Sequence, residues 1–229
     1  MRLSDTLFIT GTDTDVGKTV TTACLAAAIA EGLSGALAVH GLAAAKGSVR
    51  ALKPIASGVP DGEPGEDAAL LAYAAGHAVP PGGVRLGLPA SPHRAAIAEG
   101  VALSPEAILD WIDEERGTIT LVEGVGGWEV PITADFRVSA LAERLGWPVL
   151  IVAADKLGAL NHTLLTVEAV RAKDLLVAGI VLVAGSEPTA NLEDLRALLP
   201  NTPVRSLPRL PNLERQTLAN AGRALLQGD

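Results

Sequence analysis

The chain has 229 residues, 48% of them hydrophobic and 19% charged, with a formal net charge of −8 at pH 7. That length and apolar share exclude a disordered segment, because such a chain can bury roughly 70% of its unfolded surface with no covalent or metal staple. The acidic balance argues against a generally basic nucleic-acid or membrane-binding face, and a single cysteine, Cys24, excludes an internal disulfide or a multi-thiolate metal site.

Short apolar runs alternate with longer amphipathic ones. The opening residues MRLSDTLFITGTDTD lack the apolar run and cleavage site of a signal peptide, and the apolar stretch 23–30 is too short to span a bilayer, so a soluble cytoplasmic protein is expected. In chain order the pattern predicts a strand at Leu7–Thr10 and a helix at Lys18–Glu31. An Ala/Gly-rich stretch, Leu33–Ser48, has room for another strand and a surface loop. A strand at Val49–Ile55, a Pro/Gly/acid-rich mobile loop at Pro60–Gly65 and a helix at Asp67–Ala75 follow. The second half reads as helix Pro105–Arg116, strand Thr118–Val122, helix Arg137–Leu145, strand Val149–Ala153 and helix Ala159–Lys173. Strand Val177–Val183, helix Leu192–Leu199, strand Val204–Leu207 and helix Leu213–Leu226 complete it. Ser104-Pro105-Glu106 combines an N-cap, a proline at the first helical position and an acid at the positive end of the dipole. Gly146 and Pro148 close the Arg137–Leu145 helix. Alternating strand and helix predicts one α/β domain over 1–229, with a doubly wound, mostly parallel sheet flanked by helices.

The residues Gly11-Thr12-Asp13-Thr14-Asp15-Val16-Gly17-Lys18-Thr19 join the first strand to the first helix. A tight turn leading into a helix N-terminus converges unpaired N–H groups on an anion, where the helix dipole is positive. Lys18 would supply charge to the β- and γ-phosphates, and the Thr19 hydroxyl would bind Mg²⁺. The pattern departs from GxxxxGK[ST] in one respect: Thr12 holds the first-glycine position and Gly11 sits one residue early.

Glu123 ends the Thr118–Val122 run, before Gly124-Val125-Gly126-Gly127-Trp128. Ligands of open parallel sheets bind beyond the carboxyl ends of the strands, so a metal-binding carboxylate is one reading and a capping or surface glutamate the other. Lys53, in Lys53-Pro54-Ile55-Ala56-Ser57-Gly58, is one of only five lysines. At a strand end it either stabilises charge on a transferring phosphoryl group or sits in solvent. Asp67 is either a site residue or an ordinary cap, and Trp128 either walls the site or packs the core. His93 and His162 belong to no recognisable triad or metal pattern.

Taken together, GTDTDVGKT at 11–19, KPIASG at 53–58, SPH at 91–93, VEGVGGW at 122–128 and KLGALNHTLLT at 156–166 resemble the dethiobiotin synthetase family in the same order. The resemblance implies a P-loop NTPase fold and the conversion of 7,8-diaminononanoate, CO₂ and MgATP into dethiobiotin, ADP and phosphate, in biotin biosynthesis. A substrate amine would take up CO₂ as a carbamate, the carbamate oxygen would attack the γ-phosphorus, and the second amine would close the ureido ring. It further implies Lys53 and Lys18 as catalytic residues and Thr19, Asp67 and Glu123 as Mg²⁺ ligands. Asp15, Val16, Gly17, Lys18, Thr19 and Val20 would wrap the nucleotide, with Asp67, Glu123, Gly124, Val125 and Gly126 completing its site. Ser57, Thr14, Gly126 and Asn161 would contact substrate. The helix starting at Leu157–Asn161 would come from a neighbouring subunit, so a homodimer is implied, with neither nucleic acid nor membrane as partner.

Two departures carry consequences. Asp15 stands where the family often has glutamate. Val183-Ala184-Gly185-Ser186 replaces a segment in which many members place an adenine-reading Asn, so a relaxed base preference is expected. The competing readings are a partitioning or septum-positioning switch ATPase and a cobyrinate-synthase-like ligase. The switch would have a second lysine within 11–16, which is absent, and the ligase a nucleophilic cysteine domain, for which Cys24 is poorly placed.

Overall fold

The computed structural model describes residues 5–32, 48–185 and 189–227. The predicted strand and loop over 33–47, and Ser186, lie outside them. Strands β1 (Thr6–Gly11), β2 (Val49–Leu52), β5 (Ile119–Gly127), β6 (Val149–Asp155), β7 (Val177–Ala184) and β8 (Val204–Leu207) form one sheet in the order β2-β5-β1-β6-β7-β8. Every pairing in it is parallel. Helices α1 (Lys18–Ala30), α2 (Glu66–Ala75), α4 (Pro105–Glu114), α5 (Val138–Leu145), α6 (Ala159–Arg171), α7 (Asn191–Leu198) and α8 (Arg215–Gln227) lie within two residues of their predicted bounds.

Both faces of the sheet are covered, as parallel strands require. In β1, Leu7 and Ile9 enter the core shared with α1, α2 and α8, while Phe8 enters the opposite core with α4, α5 and α6. The same period of two places Leu150 and Val152 on the first side, and Val149, Ile151 and Ala153 on the second. On α1 the first core includes four alanines, Ala23, Ala26, Ala27 and Ala28, whose small side chains let α8 approach very closely. A Cβ built on Gly222 of α8 would lie 2.0 Å from the Cys24 carbonyl oxygen of α1. Cys24 itself is fully buried, and burial pushes its thiol pKa up to about 12, which disqualifies it as a nucleophile. Trp128 resolves to the core reading: it is buried in the second cluster.

Two expectations are corrected. The single strand Val49–Ile55 is two strands, β2 and β3 (Ile55–Ser57), broken at Lys53-Pro54. Pro54 has no N–H for the main ladder, and its carbonyl accepts from Val84 N at 2.8 Å, so the chain switches to a second sheet of β3 and β4 (Val84–Leu86). The strand expected to stop at Val122 runs on through Glu123 to Gly127, because Gly127 pairs with Gly11 at the end of β1. Helix α3 (Pro92–Glu99) was not foreseen, although Ser91 caps it and Gly100 ends it in the left-handed conformation. Among the described residues no helix is long and apolar enough to cross a membrane.

Candidate active site

Residues 12–17 turn sharply from β1 into α1. Gly17 sits at φ +92°, a conformation that L side chains rarely adopt, and a Cβ there would strike the Val183 side chain at 2.8 Å. Gly11 accounts for the displaced glycine of the loop. A Cβ on it would meet the Asp13 carbonyl at 2.6 Å and Lys18 Nζ at 3.0 Å, so this glycine makes room for the Lys18 side chain. Lys18 Nζ donates to the Asp13 carbonyl at 3.0 Å. Asp15 holds φ +57°, in the left-handed region where Asp is among the tolerated residues.

Parallel register brings the remaining groups to the same rim. Leu52 of β2 pairs with Val122 of β5, so Lys53 emerges beside Glu123; Ile9 of β1 pairs with Glu123 from the other side. Lys53 Nζ lies 2.6 Å from Glu123 Oε1, 2.9 Å from Asp67 Oδ2 and 3.1 Å from the Gly124 carbonyl. Lys53 is 4% exposed and Glu123 is wholly buried, so neither solvent reading survives. Asp67 is not a cap either: Gly65 occupies that position of α2, and the Asp67 carboxylate turns inward to Lys53 and Thr19. The Thr19 hydroxyl lies 2.8 Å from Asp67 Oδ1 and 2.9 Å from Glu123 Oε1.

Burial and charge shift these groups in different directions. Burial, with help from Lys53, lowers the Lys18 pKa to about 8. Burial alone would lower Lys53 too, but the adjoining Glu123 and Asp67 carboxylates outweigh it and hold the ammonium above its ordinary value. For Asp67, burial pushes upward, yet Lys53 and the Thr19 hydroxyl prevail and hold the carboxyl below the usual range.

A cavity of about 840 Å³ opens on this cluster. Thr14, Asp15, Gly17, Lys18, Thr19, Val20, Lys53, Ser57, Asp67, Glu123, Val125 and Gly126 all line it. Three sequence-derived candidates do not. The Val16 side chain is buried in the first core, Gly124 is engaged through its carbonyl with Lys53, and Asn161 is exposed on α6. The opposite wall, Pro89 to Pro92 with Val130, was missed apart from the Ser-Pro-His motif; the Ser91-Pro92 helix start was its readable signal.

Among the described residues no group of three or more His, Cys, Asp or Glu side chains could hold a metal. Two carboxylates and a hydroxyl remain a fitting donor set for Mg²⁺, which takes few protein ligands and keeps several waters. One observation favours it: Glu123 Oε2 is buried with no hydrogen-bond partner among the described residues.

The family model described as an AAA domain matches residues 5–218. Solved structures share the fold: a ParA family ATPase from Chlorobium tepidum has a TM-score of 0.54 at 12% identity, covering 98% of this chain and 92% of that one. Apo McdA of Cyanthece has a TM-score of 0.51 at 14% identity, covering 94% of this chain and 90% of that one. Identities this low speak for the fold alone. Sequence relatives are more specific. The ATP-dependent dethiobiotin synthetase BioD of Ralstonia nicotianae is 35% identical, covering 93% of both chains. That of Nitrobacter hamburgensis is 36% identical over 96% of this chain and 93% of its own. That of Pseudomonas aeruginosa is 37% identical over 93% and 92%. At such identity over nearly the whole length, with the phosphate loop, Lys53 and Glu123 gathered on one cavity, this chain belongs to the dethiobiotin synthetase family.

Proposed function

We propose that this cavity carries out the dethiobiotin synthetase reaction, an ATP-dependent ring closure of 7,8-diaminononanoate with CO₂. The observation that carries the proposal is the placement of two lysines, two carboxylates and a threonine hydroxyl, from four separate segments, around one cavity. Phosphoryl transfer to a carbamate gathers negative charge and asks for positioning and neutralisation rather than covalent help. Lys18 and the N–H groups at the start of α1 hold the phosphates. Lys53 neutralises charge where the carbamate oxygen meets the γ-phosphorus, and the Ser57 hydroxyl orients the diamine from the β3 side. Thr19, Asp67 and Glu123 would hold Mg²⁺, which would supply positive charge to offset that of the phosphates. The tail of the diamine is met by α6 of a second copy, through Asn161, in a homodimer.

The nucleotide is ATP with a relaxed base preference, since Val183, Ala184 and Gly185 offer no side-chain amide to a base. Purified protein given 7,8-diaminononanoate, bicarbonate and MgATP should form dethiobiotin with one ADP per ring closed. Hydrolysis indifferent to the diamine would favour the switch ATPase instead. Comparison of ATP, CTP and GTP checks the second point, and a large preference for ATP would refute it.

A further inference from the structure

The Lys53 ammonium has three protons, and three acceptors surround it: Glu123 Oε1, Asp67 Oδ2 and the Gly124 carbonyl. It is therefore saturated, in a place almost closed to water. Glu123 Oε1 also takes the Thr19 hydroxyl, and Thr19 in turn reaches Asp67 Oδ1. Every residue assigned above to a divalent cation is thus already tied into one lysine-centred cluster. Lys18 also interacts with Lys53 and with both carboxylates, so two carboxylates meet two ammoniums and no negative charge is to spare. Glu123 Oε2 is the one oxygen of the pair left without a partner among the described residues, and a dication entering there would share the carboxylates with Lys53, leaving the ammonium beside two further positive charges in a poorly solvated site, an arrangement of high energy.

We infer that Lys53 and a divalent cation compete for the Asp67–Glu123 carboxylate pair, so that loading the cation expels the ammonium toward the phosphates. The exchange makes Lys53 an internal counter-ion. It keeps the carboxylates paired, weakens cation binding when no phosphate is there to receive the ammonium, and couples cation entry to nucleotide entry. The inference rests on the assignment of Thr19, Asp67 and Glu123 as cation ligands.

The test uses Mn²⁺ alone as the probe, with its binding followed by electron paramagnetic resonance without nucleotide. Lys53→Met should bind Mn²⁺ at least tenfold more tightly than the wild type; equal or weaker binding overturns the competition. A charge removed from the neighbourhood would also tighten binding with no displacement, so a second measurement is made on the wild type. The ¹⁵N-ammonium resonance of Lys53 should shift, and its protons should exchange faster with water, as Mg²⁺ saturates the protein. A resonance unmoved at full Mg²⁺ occupancy overturns the exchange even if the variant gains affinity, and this arm stands if Lys53→Met fails to fold. Failure of Mn²⁺ to bind either protein, even with ATP present, would strike down the ligand assignment as well.

Discussion

Lys18 and Lys53 border the same cavity, and both are nearly closed to solvent, but the protein treats them oppositely. Lys18 belongs to a local structure: strand, turn and helix follow one another, and its ammonium rests on a neutral carbonyl of its own loop. Lys53 belongs to a non-local one, bonded to carboxylates 14 and 70 residues further along the chain. Burial therefore lowers the first, while ion pairing overcomes burial and raises the second. A group left wanting a counter-charge is suited to receiving an anion. One already paired is suited to releasing its charge at the moment a reaction needs it.

The largest expected effect separates the two directly. Lys53→Ala should lower turnover on the order of a thousandfold, as loss of a charge-stabilising group in a closed site does, with nucleotide affinity changed far less. Lys18→Ala should damage both, because its partner is the ground-state phosphate as well as the developing charge. Steady-state kinetics paired with calorimetric titration of a non-hydrolysable ATP analogue distinguishes them. Equal loss of nucleotide affinity in both variants would erase the division of labour.

Next in size is a structural break on the Lys18 side alone. Ala at a helical Gly ordinarily adds about 1 kcal/mol of stability through propensity. At Gly222 it should instead cost about 3 kcal/mol, because the new methyl would sit 2.0 Å from the α1 backbone and neither backbone can yield cheaply. Denaturant unfolding reads the sign. A stabilised Gly222→Ala would mean that α8 is free to move away, and that α1, with its phosphate loop, is held by less than its packing suggests.

The same local and non-local division explains what could be read from the sequence. The phosphate loop, the sheet class and most helices were legible, since their signals lie in neighbouring residues: a glycine-lysine-threonine turn, apolar runs, Ser-Pro caps, helix-ending glycines. The roles of Asp67 and Glu123 were ambiguous from local sequence, because each resembles a cap or a surface acid until the register of β2, β1 and β5 brings Lys53 and Thr19 against it. The break at Pro54 was visible as a proline, but the second sheet was not, since β4 is three residues long and only Leu86 of it is fully buried. The far wall of the cavity escaped for a related reason: Pro89, Ala90 and Val130 carry no chemistry that a sequence pattern could single out, and act by shape.

The smallest effect expected is a pH dependence that belongs to Lys18 and should be missing from Lys53. The folded pKa of Lys18, about 8, lies below its ordinary value of 10.5, so between those values the unfolded chain binds more protons than the folded one. The Lys18 contribution to stability therefore rises as pH climbs from about 8 to 10.5, since burying a charged ammonium is unfavourable and the proton is progressively lost. Nucleotide affinity should run the other way. A triphosphate prefers the charged form, so above pH 8 binding must take up a proton, and affinity should fall by roughly tenfold per unit until the pKa of the complex is reached. Below pH 8 the Lys18 term is flat. Titrating the ATP analogue at pH 7, 8 and 9 in buffers of different ionisation enthalpy measures both the slope and the proton uptake. Lys18→Met should abolish them, whereas Lys53, held above its ordinary pKa by two carboxylates, should contribute nothing across that window. A slope that survived in Lys18→Met would place the titrating group elsewhere and remove the electrostatic contrast between the two lysines.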